Sequence, residues 1–62
     1  MTTFATSPTL DMMRQAIARF YCRDDVADVQ IDGEIVVLSG RPVVGVRVVK
    51  VGKRYRFESV AS

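Results

Sequence analysis

The sequence predicts an α+β fold, one N-terminal helix packed on a four-stranded antiparallel sheet. Two observations carry this. Apolar residues recur every three or four positions early in the 62-residue chain and every second position later, and the later part is punctuated by Asp-Gly, Ser-Gly and Gly-Lys turn signals. The length suits one small domain spanning residues 1–62, in which residues 1–6 are expected to be flexible.

The helix is expected to start at Ser7-Pro8, because serine can cap the first free amides and proline supplies helical φ where no N–H is needed. Leu10, Met13, Ile17, Phe20 and Tyr21 then form one apolar stripe running to about Arg23. Asp11 near the start and Arg19 and Arg23 near the end follow the order that the helix dipole favours.

Ala27, Val29 and Ile31 next alternate with Asp28, Gln30 and Asp32, as a half-buried strand does. Asp32-Gly33 suits a type I′ hairpin turn, which would pair Ile31 with Glu34, Val29 with Val36 and Ala27 with Leu38. After the turn cluster Ser39-Gly40-Arg41-Pro42, Val43 to Val51 reads as one long β-branched strand. Gly52-Lys53 suits a type II′ turn that pairs Lys50 with Tyr55, Val48 with Phe57 and Val46 with Ser59. On the opposite face Val49 meets Arg56, and Arg47 meets Glu58 as an opposite-charge pair. Tyr55 and Phe57 then share the helix-covered side with Val46 and Val48. A small SH3-like barrel with an N-terminal helix is the alternative, since short strands at this spacing can also curl.

Composition excludes several kinds of chemistry. His is absent and Cys22 is alone, which removes disulfide frameworks, Cys/His zinc sites and His-activated nucleophiles. No enzymatic activity, cofactor or metal is expected. Asp24, Asp25 and Asp28 lack the glycine and the further oxygen ligands of an EF-hand loop. Gly40 and Gly45 have Walker-A spacing but are followed by Val46 and Arg47, and Gly52-Lys53 is followed by Arg54 in place of a hydroxyl residue. No apolar run is long enough for a membrane helix and no basic, then apolar leader opens the sequence, so a cytoplasmic protein without a membrane partner is expected.

Charge is segregated along the chain. Residues 11–34 hold six acids against three Arg, net −3, whereas residues 35–62 hold six Lys or Arg against Glu58, net +5. Arg47, Lys53, Arg54 and Arg56 fall on the last hairpin and are the candidate macromolecule-binding residues. They could contact nucleic-acid phosphates, or solvate an otherwise sticky hairpin. The same outer sheet face carries Ile35, Val37, Val49 and Val51, with Val26 beside them. A domain of this length buries only about 60% of its unfolded surface, so a second copy docking on these aliphatics would supplement a small core. The expected function is therefore non-enzymatic macromolecular interaction, with self-association through the sheet. Another protein is the wider partner class, and nucleic acid is the competing one.

The stretch from Asp32 to Gly40, DGEIVVLSG, resembles the strand-turn-strand phrase of BON-type domains over nine residues. The second helix of that family has no counterpart here, and no functional residue is carried over.

Overall fold

The computed structural model of the chain describes residues 2–60. Strand β1 (Thr3–Ser7) is followed by helix α1 (Leu10–Phe20), a 3-10 turn (Val26–Asp28), and strands β2 (Val29–Asp32), β3 (Ile35–Leu38), β4 (Arg41–Pro42), β5 (Val46–Val51) and β6 (Arg54–Ser59). The α+β class holds, but the strands form two three-stranded antiparallel sheets, β1-β6-β5 and β2-β3-β4, in place of a single four-stranded one.

The split has a local cause. Val43 N–H still donates to Val36 C=O at 2.8 Å, continuing the β3–β4 ladder. The chain then kinks at Val44 and Gly45, where Val44 is 94% exposed and Gly45 takes φ +88°, a conformation costly for any other residue. Beyond the kink, Val48 N–H donates to Glu34 C=O at 2.9 Å. The expected strand from Val43 to Val51 is thus broken by a bend that carries the chain from one sheet into the other.

The expected helix start also moves. Ser7 is drawn into β1 opposite Tyr55 and is 5% exposed, so Thr9 takes over the cap, its Oγ1 accepting from Met12 N–H at 3.2 Å. Residues 3–6, expected to be flexible, lie in β1 and pair with β6, while Met1 lies outside the described residues. A register shift between Thr3 and Ala5 gives β1 a bulge. Phe4 and Ala5 both pack against the core there.

The helix ends at Phe20, with Cys22 at φ +56°. Arg23 N–H reaches Ala18 C=O at 2.7 Å and Cys22 N–H reaches Arg19 C=O at 3.1 Å. This is a Schellman closure with cysteine where glycine is usual. Asp25 then caps the 3-10 turn, accepting from Ala27 N–H at 2.9 Å, so Ala27 is not in the expected strand and Val26 packs against the core instead of joining the outer face.

The two hairpins fare differently. In β5–β6 every expected pair is present, Val48 with Phe57 and Arg47 with Glu58 included. In β2–β3 the loop is Gly33-Glu34, so Asp32 pairs with Ile35, Ile31 with Val36 and Val29 with Leu38, two residues away from the expected register. Positive φ occurs at Gly33 and not at Glu34, the type II′ pattern rather than I′. The shift sets Ile31 against Val36 instead of Glu34, and because it is an even number of residues it leaves the same side chains facing inward.

One core joins all layers. Met13, Ile17 and Ala18 of α1 meet Val29, Val36 and Leu38 of one sheet and Val48 and Phe57 of the other. Phe57 is fully buried, and its ring lies 5.1 Å from Phe4 and 5.3 Å from Phe20 between centroids. Arg14 fastens the helix to the second sheet by donating from Nε to Val29 C=O at 2.9 Å. The helix therefore covers the Tyr55 and Phe57 side of the last hairpin and leaves the alternate residues outward.

Candidate functional site

The outward side of β1-β6-β5 is set by strand alternation. Since Val48 and Phe57 point into the core, their neighbours Arg47, Val49, Arg56 and Glu58 point away from it. Val51 and Arg54 form the last pair before the Gly52-Lys53 turn, and Thr6 of β1 lies opposite Arg56.

Glu58 organises this face. It is 2% exposed although it lies on the side away from the helix, because two guanidinium groups cover it. Arg47 donates to Oε2 from Nε at 2.9 Å and from Nη2 at 2.7 Å, while Arg56 Nε donates to Oε1. Those charge-assisted bonds, that to Arg47 above all, hold the carboxyl below its ordinary value of 4.5 despite the opposing effect of burial. The expected cross-strand pair is therefore a three-residue network. Arg47 and Arg56 are held in place with 34% and 40% of their side chains exposed, rather than extending as free surface cations.

The four candidate binding residues consequently have different environments. Arg47 and Arg56 are brought together by Glu58, whereas Lys53 and Arg54 are exposed at the hairpin turn. Arg54, Arg56, Thr6, Val51 and Tyr55 line a shallow cleft of about 180 Å³. A larger hollow of about 370 Å³ beside the C-terminal half of α1 includes Arg19 and Arg23 but also Asp24, so its charge is mixed.

Comparison with protein-family models, curated proteins and solved structures finds no match to this chain.

The four aliphatic residues are divided between strands, Ile35 and Val37 on β3 and Val49 and Val51 on β5. The bond from Val48 N–H to Glu34 C=O brings the start of β3 beside the middle of β5, so Ile35 and Val49 both adjoin that junction. Each alternates with an inward valine, Val36 or Val48, and so faces away from the core. Ile35 is 51% and Val51 49% exposed, whereas Val37 and Val49 are half-buried.

Two features escaped the sequence reading. Arg14 is a structural tether hidden by its place on an ordinary helical polar face. Glu58 was legible as the cross-strand partner of Arg47, but its second bond to Arg56 also lay within reach, since residues two apart on a strand share a face. Among the described residues no group of three or more His, Cys, Asp or Glu converges in the manner of a metal site, and no helix is long and apolar enough to cross a membrane.

Proposed function

We propose that this chain is a non-enzymatic macromolecular-interaction protein of the cytoplasm, working as a self-associated pair through the outer side of its sheets. The observation that carries this reading is the exposure of Ile35 and Val51 on strands whose opposite side is already covered by the core. With Val37 and Val49 they extend an aliphatic surface across the junction between the sheets. A fold this small gains from burying it, because aliphatic area removed from water contributes about 25 cal/mol per Å². Arg47 and Arg56, fastened by Glu58, border this surface as ordered polar groups that need little further immobilisation on binding.

Light scattering after gel filtration, at tens of micromolar protein, tests the reading. Twice the chain mass is expected. A single-chain mass across that range overturns self-association and leaves a different partner for the surface.

A further inference from the structure

We infer that the cleft lined by Thr6, Arg54, Tyr55 and Arg56 is a docking point for a phosphate group of a nucleic-acid backbone. This goes beyond the self-association reading and stands on a different observation, the charge and size of the cleft. Two arginines, Arg54 and Arg56, and the hydroxyl-bearing Thr6 and Tyr55 are among its lining residues, with Val51 as a wall and no acidic residue. Arg56 is preset for such a ligand. Its contact with Glu58 uses Nε, so the carboxylate fixes the side chain while the two Nη groups remain outside that contact. Arg54 forms no ion pair among the described residues, and its side chain is exposed at the hairpin turn.

Size and layout favour a polymer over a free small molecule. The cleft holds about 180 Å³, below the roughly 300–1,000 Å³ of small-molecule pockets, so it accommodates one group of a longer ligand. Arg54 and Arg56 are successive outward residues of β6, about 7 Å apart along the strand, and Lys53 extends the same basic end. A row of cations matches a row of phosphates. Tyr55 adjoins the cleft but lies half-buried against the core, and Phe57 beyond it is fully buried, so neither ring is presented as a stacking platform. Recognition is therefore through the backbone, without base stacking or sequence preference.

Fluorescence anisotropy of the full chain with a labelled DNA duplex of about 20 base pairs, titrated between about 50 and 200 mM salt, tests the site. At the low-salt end a Kd on the order of 10⁻⁵ M is expected, weakening steeply as salt rises. Arg54→Gln is expected to weaken binding about fivefold to tenfold and to reduce the log–log salt slope by about one, while Arg19→Gln on the helix leaves both unchanged. Matching circular dichroism and Tm among the variants establish that the fold is retained. No binding at low salt, binding unaffected by Arg54→Gln, or equal binding to polyglutamate would overturn the proposal. Val51 and Arg56 belong to both surfaces, so a phosphate and a second copy compete for this end of the face. The self-association test reads mass without DNA, so either idea can fail while the other stands.

Discussion

Glu58 and Arg47 face each other across β5 and β6, the carboxylate Oε2 accepting two bonds from one guanidinium at 2.7 and 2.9 Å. The relationship places an ionised group, 2% exposed, on the side of the sheet that the helix does not cover. Its pH behaviour follows from the bonds that hold it. The folded carboxyl titrates below its ordinary value of 4.5, so between the two values the unfolded chain binds more protons than the folded one. The stabilisation is complete above about pH 4.5 and is lost as pH falls through the folded value. Urea unfolding midpoints measured from neutral pH downwards should fall in that acid window for the wild type. Glu58→Gln should start lower at neutral pH, with the gap to wild type closing as acid is added. Parallel acid profiles for the two proteins would contradict this role.

Cys22 occupies the left-handed position of the helix closure at φ +56°. A side chain there costs about 1–2 kcal/mol of local strain; glycine relieves it, and its greater freedom in the unfolded chain takes back part of that gain. Cys22→Gly should therefore stabilise the protein by up to about 1 kcal/mol. Denaturant melts under reducing conditions check this, and a lower midpoint would count against the assigned closure.

Thr9 supplies the helix cap through Oγ1. Thr9→Ala should cost about 1 kcal/mol, whereas alanine at Ser7 should show no loss of a helix cap. Helical ellipticity through a thermal melt separates the two, since only loss of the Thr9 cap should fray the first turn.

Phe57 is fully buried where helix, β1 and both sheets converge. Phe57→Ala should cost about 3–5 kcal/mol, a large share of the 5–15 kcal/mol that stabilises an ordinary domain. A cooperative urea transition close to that of the wild type would show that this ring does not anchor the core.

How far the sequence was legible depended on how local the deciding interaction was. The β5–β6 register was readable because Gly52 opens the turn and the Arg47–Glu58 pair and the Val48–Phe57 pair agree with it. The β2–β3 register was less constrained, because Asp32-Gly33 and Gly33-Glu34 both make acceptable two-residue loops and the choice rests on cross-strand pairs such as Ile31 with Val36 and Val29 with Leu38. Strand β1 was not legible at all. Thr3–Ser7 has little apolar pattern of its own and is a strand through pairing with β6, which also takes Ser7 away from the helix cap. The division into two sheets likewise depends on a bend at Gly45 that local propensity, high for strand throughout the valine-rich segment, does not display. On the outer face, the identity of the candidate residues followed from alternation, but the immobilisation of Arg47 and Arg56 by one buried carboxylate required the three-dimensional arrangement.

The most direct test of the account is sedimentation velocity on the wild type beside the double variant Ile35→Lys, Val51→Lys, which sets charge into the exposed aliphatic surface without entering the core. The expected result is a wild type of twice the chain mass and a folded double variant of single-chain mass. A variant that keeps the doubled mass would place the contact elsewhere, and a wild type that sediments as one chain would contradict self-association through this face.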